Sequence, residues 1–345
     1  MLYAGIDIHK SVFQAVVLDP DSGELTECRF EPSRERLGEW ARERRGKLAA
    51  VAIESTTGWR WVARELQQYG FDVHLVDPGR ASALRGRRRR PKTDKLDARW
   101  LTVVLARELL SECEAWMPPA GIQLLRDQTR LRKSLVDSRT GWAQRLHALL
   151  AHEGWPCSRG RLLTPEGRRW VTALELEPSV RAQVDVMLTL IIALDQQLKV
   201  VETELRRFAR MDARCQALET IFGVGPIYAC HLLAEIGDAR RFKRSRQVVR
   251  ASGLDPAVIE SADSKRRGRL AKQGSPHLRW VLVEAATHSS RATSPDHELY
   301  ESAAQRCGRG RARLTVARKI ARRAYHLLSA VEAEIEATAA EAQTI

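Results

Sequence analysis

Long hydrophobic runs are missing from the sequence, and no segment approaches the roughly 18 uninterrupted apolar residues that a membrane-spanning helix needs. The first residues have the pattern of a strand and not that of a signal peptide. No repeat of fixed length is evident along the chain. These absences predict a cytoplasmic protein that has no membrane partner.

Paired cysteines are missing as well. The six cysteines are scattered along the chain, and no two of them have the CxxC spacing of a zinc or redox motif. Neither a zinc site nor a disulfide framework is therefore expected. We expect ordinary buried thiols at Cys28, Cys113, Cys157, Cys215, Cys230 and Cys307.

Acidic residues are too few to balance the basic ones. The 345 residues include 57 Lys and Arg against 43 Asp and Glu, a formal net charge of +14. Such an excess favours a polyanionic partner, in particular nucleic acid. The hydrophobic fraction of 44% is ordinary for a globular protein, and the length allows two or three domains of about 150 residues.

The first half of the chain has a mixed α/β pattern. Residues 2–8, 11–19 and 24–31 are predicted strands, followed by a helix near 33–45 and a strand at 48–54. The predicted pattern continues with a helix at 59–69, a strand at 72–77 and mostly helix from 94 to about 150. Three antiparallel strands followed by strand–helix alternation are typical of ribonuclease H-like folds.

Four carboxylates stand at the ends of these elements. Asp7 lies in the first strand and Glu54 ends the fourth, while Asp94 and Asp97 share one face of a starting helix. If that helix packs beside the two strands, the four acids meet at one sheet edge. Like charges gathered there need cations, and Mg²⁺ prefers such oxygen ligands. This predicts a magnesium site for nuclease-like or strand-transfer chemistry.

A structural explanation competes with the catalytic one for these acids. An acid that follows a strand is often a turn residue, and Asp94 could simply cap its helix.

The second half is predicted to be mostly helical. Glycine, proline and arginine at 154–169 mark a boundary, and 180–210 repeats apolar residues every three to four positions. That repeat suits a helical hairpin, a short coiled coil or a buried helix. The rest, about 215–345, is read as helices around a polar loop at 254–274.

Several segments could bind nucleic acid. Gly223 and Gly225 lie in a glycine turn between two helices, which suits either a phosphate-binding helix–hairpin–helix element or a plain corner. Basic residues cluster at 85–92, 265–279 and 306–323, where salt-dependent phosphate contacts are expected. The predicted contact residues are Arg87, Arg88, Arg89, Arg90, Lys92, Gly223, Gly225, Lys265, Arg266, Arg267, Arg269, Lys272 and Arg279.

The chain resembles the DEDD-type transposases of bacterial insertion sequences (insertion sequence family 110), relatives of the Piv invertase that include bridge-RNA-guided recombinases. The resemblance covers nearly the whole chain. It rests on GIDIHK, AIES and KTDKLDAR, and then on GVGPIYACHLLAEIGD, RFKRSRQVVRASGLDP and ESADSKRRGRLAKQGSPHLRWVLVEAA. The last segment holds a specific glycine–lysine–serine–arginine pattern formed by Gly268, Lys272, Gly274, Ser275, Leu278 and Arg279.

The resemblance implies an architecture of α/β plus α class. Residues 1–155 would form a RuvC-like (ribonuclease H-like) catalytic domain and 156–213 a helical coiled-coil segment. Residues 214–345 would form a mostly helical transposase domain.

The resemblance also implies roles for individual residues. Asp7, Glu54, Asp94 and Asp97 match the metal-binding tetrad, and a serine of the second half is the nucleophile. Ser261 fits that position best. Ala262 replaces the glycine that usually follows, which leaves Ser264 as a competitor.

The resemblance implies partners too: donor and target DNA, a structured bridge RNA, and a synaptic homo-oligomer, a tetramer, with sites shared between subunits. The function expected is that of a DNA transposase that cuts and rejoins strands, with Arg266, Arg267, Arg269 and Lys272 stabilising charge. A site-specific invertase, a Holliday-junction resolvase that uses water, and a non-catalytic nucleic-acid-binding protein are the alternatives.

Overall fold

Short strands rich in apolar residues occupy the first part of the chain and form a mixed five-stranded sheet. The computed structural model describes residues 1–85, 93–261 and 264–344. The strands of the sheet are β1 (Leu2–Ile8), β2 (Phe13–Leu18), β3 (Leu25–Phe30), β4 (Leu48–Glu54) and β5 (Asp72–Val76). The helices of the same unit are α1 (Arg34–Arg44), α2 (Trp59–Gln68), α3 (Pro78–Arg85) and α4 (Asp94–Ala106), followed by a 3-10 turn at Leu109–Glu112.

The strand order in this sheet is β3-β2-β1-β4-β5. The three strands β3, β2 and β1 pair antiparallel, and β1, β4 and β5 pair parallel. This order is compatible with the predicted ribonuclease H-like fold. The boundaries of the five strands and of α1 and α2 agree with the predicted ones to within two residues, because the apolar runs of the strands are closed by turn residues. Helix α3 was not predicted.

Both faces of the central strands are buried, as parallel strands covered by helices require. On one face, Ile6 and Ile53 pack with Trp40 of α1 and Leu66 of α2. On the other face, residues of β4 and β5 pack against α4 around Leu101. The sheet is therefore the middle layer of three.

A glycine in β1 sets how closely α4 approaches the sheet. A Cβ atom on Gly5 would lie 2.5 Å from the Ala98 carbonyl oxygen and 2.6 Å from the Thr102 amide nitrogen. Thr102 lies at the same crossing, where its buried hydroxyl is within hydrogen-bond distance of two carbonyl oxygens, that of Val16 in β2 at 3.0 Å and that of Ala98 in α4 at 2.8 Å. Only a residue without a side chain fits at Gly5.

The second unit, residues 118–345, is mainly helical. Its helices are α5 (Ala120–His152), α6 (Arg159–Leu162), α7 (Pro165–Thr172), α8 (Pro178–Met211), α9 (Ala213–Glu219), α10 (Pro226–Ile236), α11 (Ser245–Ala251), α12 (Pro276–Thr287), α13 (His297–Cys307) and α14 (Arg309–Thr344). Two 3-10 turns, Ala239–Arg241 and His288–Ser290, complete the helical elements. The described residues contain no helix that is both long and apolar enough to cross a membrane.

The helical repeat at 180–210 belongs to an intramolecular hairpin. Residues Val184, Leu188 and Ile191 of α8 are buried in one cluster with Leu146 and Leu150 of α5. Two ion pairs also join these helices, Arg132 to Glu202 at 2.8 Å and Arg139 to Asp195 at 2.9 Å. In all these contacts residue numbers fall along α5 as they rise along α8. The two helices therefore run antiparallel, which confirms the helical-hairpin alternative.

The segment 254–274 corrects the prediction of a polar loop. Its backbone forms a two-stranded antiparallel hairpin, β6 (Pro256–Ser261) and β7 (Ser264–Leu270). The sequence signal failed there because basic residues and serine replace the apolar alternation by which a half-buried strand is recognised.

The structure divides the chain after Met117, and α5 belongs to the second unit. The three-part division at residues 155 and 213 stays a prediction.

Replacing Gly5 by alanine should destabilise the first unit by about 1–3 kcal/mol, because the added methyl group pushes α4 away from β1. Denaturant unfolding would measure it. Gly141→Ala is the matched control: nothing lies within 4 Å of a Cβ there, within helix α5. The control should gain about 0.5–1 kcal/mol. Equal stability of Gly5→Ala and wild type would contradict the close contact.

Candidate active site and nucleic-acid-binding residues

The ends of β1 and β4 bring two of the predicted carboxylates to one edge of the sheet. These strands are parallel neighbours, with Ile6 paired to Ile53. Asp7 and Glu54 each follow directly in their strands. Because parallel strands end at the same edge, the register places both acids there.

The first turn of α4 carries the other two carboxylates. Thr93 is the N-cap, and its side chain accepts a hydrogen bond from the Leu96 amide. The alternative that Asp94 caps the helix is therefore wrong: Asp94 is exposed one residue further on. Asp97 is buried, at 8% exposure, next to the Ala98 carbonyl that touches Gly5.

The pKa of Asp7 reflects its burial and the charges of the other three acids. The pKa of Asp7 is raised from its ordinary 3.8 to about 6, mainly by burial and then by the negative charges of Asp94, Glu54 and Asp97, in that order. His9 opposes the shift weakly. A carboxyl group that resists ionisation beside three other carboxylates is typical of a site that accepts a cation.

The donor set fits a hard divalent cation, because all four side chains offer carboxylate oxygens. The geometry is less complete than the chemistry. Within the residues that the structure describes, no three His, Cys, Asp or Glu side chains are gathered into a group that could hold a metal ion. The carboxylates therefore interact through their charges without forming a finished coordination shell.

The two candidate serines stand at the turn end of the β6–β7 hairpin. Ser261 is the last residue of β6 and pairs with Ser264, the first of β7. Residues 262–263 between them lie outside the described part of the chain, as do the side chains of 257–269, including those of Lys265, Arg266, Arg267 and Arg269. The backbone thus brings both candidate nucleophiles to one turn without distinguishing them.

Comparison with known proteins places these two regions in one family. A family model described as the IS116/IS110/IS902 family of transposases matches residues 215–301, and an IS110-type DEDD transposase model matches 4–153. The transposase candidate y4rJ of Sinorhizobium fredii is 31% identical over 71% of this chain and 67% of its own length. The chain belongs to the IS116/IS110/IS902 family of transposases.

Two further relatives extend the similarity along the chain. The transposase for insertion sequence element IS1111A of Coxiella burnetii is 25% identical over 95% of this chain and 90% of its own length. The transposase for IS1328 of Yersinia enterocolitica is 26% identical over 82% of both chains. Family membership makes this protein a DNA-processing enzyme, and the predicted family is confirmed.

The glycine–lysine–serine–arginine pattern of this transposase anchors the base of the hairpin. Gly274 has φ of 125°, and a Cβ there would lie 2.2 Å from the Ala251 carbonyl oxygen. Lys272 also has a positive φ, 54°, and is exposed. Arg279, predicted to bind nucleic acid, is half-buried, and its guanidinium donates to the Ser252 carbonyl oxygen at 2.9 Å.

Glu235 and Arg130, which the sequence did not single out, complete this anchor together with Ser275. Glu235 is buried at the end of α10 and pairs with Arg130 at 3.0 Å. Its other oxygen accepts a 2.6 Å hydrogen bond from the hydroxyl of Ser275, which caps α12. A lone acid in an apolar helix was the available signal, because such an acid is seldom buried without a partner.

The two glycines of the turn between α9 and α10 have different surroundings in this transposase. Gly223 has φ of 87°, and a Cβ there would lie 2.5 Å from the Ala285 carbonyl oxygen in α12. Its role is therefore close packing. Gly225 caps α10 and has nothing within 4 Å of its Cβ position, so it alone leaves room for an approaching phosphate.

The basic stretches differ in what the structure shows of them. Arg87, Arg88, Arg89, Arg90 and Lys92 lie outside the described residues. In the stretch at 306–323, Lys319 and Arg323 pair with buried Asp296, and Arg318 donates to the Leu254 carbonyl. The residues left exposed at the start of α14 are Arg309, Arg311 and Arg313.

Neutralising Asp7 should change how stability depends on pH. In the folded protein its raised pKa favours the protonated carboxyl, so wild type loses stability as pH rises from about 4 through about 6. Asp7→Asn escapes this loss. In EDTA the variant should equal wild type near pH 4 and exceed it by about 1–2 kcal/mol at pH 7.5, allowing for partial exposure.

Urea unfolding at the two pH values would test this, with exposed Asp21→Asn as control. If the stability of wild type and of Asp7→Asn depended on pH in the same way, the pKa of Asp7 would not be raised by burial and by the other three carboxylates.

Arg279→Ala should act on stability and not on nucleic-acid binding. Loss of its carbonyl contact should lower the stability of the second unit by about 1–3 kcal/mol and leave the salt dependence of DNA binding unchanged. Exposed Arg313→Ala is the matched control, because its loss should spare stability and reduce the salt slope by about one. If Arg279→Ala instead reduced the salt slope of DNA binding and left stability unchanged, Arg279 would be a DNA-binding residue.

Proposed function

We propose that this transposase mobilises an insertion sequence by cutting and rejoining DNA strands with its own serine as nucleophile. The observation that carries the proposal is the approach of four carboxylates at the edge of β1 and β4, expressed in the raised pKa of Asp7. Asp7, Glu54, Asp94 and Asp97 would hold Mg²⁺. The ion would polarise the scissile phosphate, as in other phosphodiester-cleaving sites.

The nucleophile in this proposal is the hydroxyl of Ser261. Its oxygen attacks the phosphorus, the bond to one deoxyribose oxygen breaks, and that oxygen leaves as a hydroxyl with the serine proton. A free hydroxyl of a second strand then attacks the phosphoserine and restores Ser261. The energy of the phosphodiester bond is kept in the covalent intermediate, so that no ATP is needed.

The hairpin supports Ser261 as the reacting residue. The position at a turn leaves the serine at the end of a short β-ribbon, and the buried Glu235–Ser275 contact fixes the ribbon at its other end. Ser264, directly across the turn, is the competing candidate. Arg266, Arg267, Arg269 and Lys272, on or just after β7, are proposed to stabilise the charge of the transition state.

The partners proposed are donor and target DNA together with a structured bridge RNA that selects them. The net charge of +14 and the exposed arginines at the start of α14 support a polyanionic partner. A tetramer in the synaptic complex, in which subunits share active sites, is proposed from the family resemblance. The same residues would serve a site-specific invertase, which differs in its DNA sites.

A resolvase-like nuclease is the second candidate. All four carboxylates belong to the first unit, and both serines belong to the second. A water nucleophile would therefore need the first unit alone. The two functions differ in whether protein becomes covalently attached to DNA.

Incubation with Mg²⁺, the flanking RNA of the element and labelled junction DNA should give a protein–DNA adduct on a denaturing gel. The adduct should disappear on protease treatment and be absent in Ser261→Ala and Asp7→Ala. Ser264→Ala is the matched control, because it removes the same hydroxyl from the paired position and should retain the adduct.

Three other results would redirect the proposal. Cleavage that needs Asp7 and leaves no adduct would identify the water-using nuclease. An adduct that persists in Ser261→Ala and disappears in Ser264→Ala would identify Ser264 as the nucleophile. An adduct formed equally well in EDTA would exclude the metal role of the carboxylates.

A further inference from the structure

A surface cavity adjoins the carboxylate edge of the first unit. It has a volume of about 530 Å³ and is lined by the segment that follows Glu54, namely Ser55, Thr56, Thr57, Gly58, Trp59, Arg60, Trp61 and Arg64. This volume lies within the range of about 300–1,000 Å³ found for small-ligand sites. None of these residues has a part in the chemistry proposed above.

The cavity lies at the same end of the sheet as Asp7. A Cβ atom on Gly58 would lie 3.8 Å from the side chain of Ile8, the residue after Asp7. Trp61 stacks on Phe13, the first residue of β2, with ring centroids 5.6 Å apart. Glu54 itself immediately precedes the lining segment. If a phosphate of a DNA strand reached these acids, the nucleotide next to that phosphate would therefore lie close to the cavity.

We propose that this cavity is a subsite for one unpaired nucleotide of the DNA strand, next to the phosphate that is cut. The proposal rests on the function proposed above and adds the residues that would position the substrate strand. Trp59, Trp61 and Arg64 are positioning residues in it.

The lining has the groups that a phosphate needs. Arg64 is exposed, and Arg60 supplies a second guanidinium half-exposed on the wall. The hydroxyls of Ser55 and Thr57 add neutral donors, and the ten-residue helix α2 begins at the cavity with its amide groups and positive dipole end. The Thr56 hydroxyl is buried and has no hydrogen-bond partner among the described residues.

The lining also has aromatic rings on which a nucleobase could stack. Two indole rings, Trp59 and Trp61, stand among the cationic groups, both half-exposed. The Trp61 ring is held by the stack on Phe13, and the Arg34 guanidinium lies 5.7 Å from its centroid. Aromatic side chains beside arginines are the common means of binding single-stranded nucleic acid. In a duplex the bases are already stacked, so that only an unpaired base can use this platform.

Gly58 sets the course of the loop that joins β4 to α2 and lines the cavity. Its φ of 97° lies in the left-handed region, which turns the chain from β4 into α2 and directs the lining residues around one opening.

Photo-cross-linking in EDTA would test the subsite without requiring catalysis. The full chain would be irradiated with a short single-stranded DNA that contains 4-thiothymidine, and the attached peptide would be mapped by mass spectrometry. We expect attachment within residues 55–64. Arg64→Ala should reduce the attachment and weaken binding about tenfold at low salt, with the salt slope lowered by about one.

Matched variants separate contact from general charge and from folding. Arg45→Ala removes an exposed arginine beside the opposite end of β4 and should change binding less than about twofold. Arg64→Lys should restore most of the binding. Trp59→Phe should retain the cross-link, whereas Trp59→Leu, which keeps an apolar group but no aromatic face, should lose it.

The proposal is overturned if attachment maps outside residues 55–64, if Arg64→Ala and Arg45→Ala behave alike, or if duplex DNA is attached as well as single strands. Preferential attachment of a single-stranded RNA of the same sequence would overturn it as a DNA subsite. Attachment at 55–64 without any Mg²⁺-dependent cleavage would uphold the subsite and reject the proposed function. Cleavage without this attachment would do the reverse.

Discussion

The close passage of α4 over β1 at Gly5 is the contact on which the carboxylate site depends. Asp7 lies two residues beyond this glycine, and Asp97 immediately precedes the Ala98 carbonyl that occupies the space of the missing side chain. The Thr102 hydroxyl lies at the same crossing, within hydrogen-bond distance of the Val16 carbonyl oxygen in β2. Because the backbone of the helix touches the backbone of the strand, the first turn of α4 lies beside the end of β1. Burial of Asp7, together with the charges of Asp94, Glu54 and Asp97, raises its pKa.

In the second unit, a buried charge joins the helices beneath the β6–β7 hairpin. Glu235 is held between Arg130 of α5 and the Ser275 hydroxyl at the start of α12, so that three helices share one carboxylate. Removing one partner of such a contact leaves a buried group unpaired, which costs more than the contact contributes. The base of the β6–β7 hairpin is fixed here, and the hairpin carries both candidate serines. The proposed strand transfer would require such rigid support behind the proposed serine nucleophile.

The first unit was largely predictable from sequence because its strands are short apolar runs and its turns are marked by polar residues and glycine. The succession of strands and helices, with two acids at strand ends and two in the first turn of a helix, followed from that pattern. The β6–β7 hairpin was missed because a strand rich in Arg and Ser gives no apolar alternation. Arg279 and Gly223 were assigned to nucleic acid because charge and glycine spacing do not reveal that one donates to a buried carbonyl and the other touches α12.

The sequence by itself determined the family, the order of strands along the first unit and the identity of the candidate acids and serines, since these depend on residue type and on local spacing. Only the tertiary structure decided which of those residues face solvent and which hold the fold together. It alone placed the Trp59–Trp61 segment beside the carboxylate edge and paired α5 with α8. The reason is physical: local patterns record the periodicity of one element, whereas burial and close contacts arise between elements far apart in the chain.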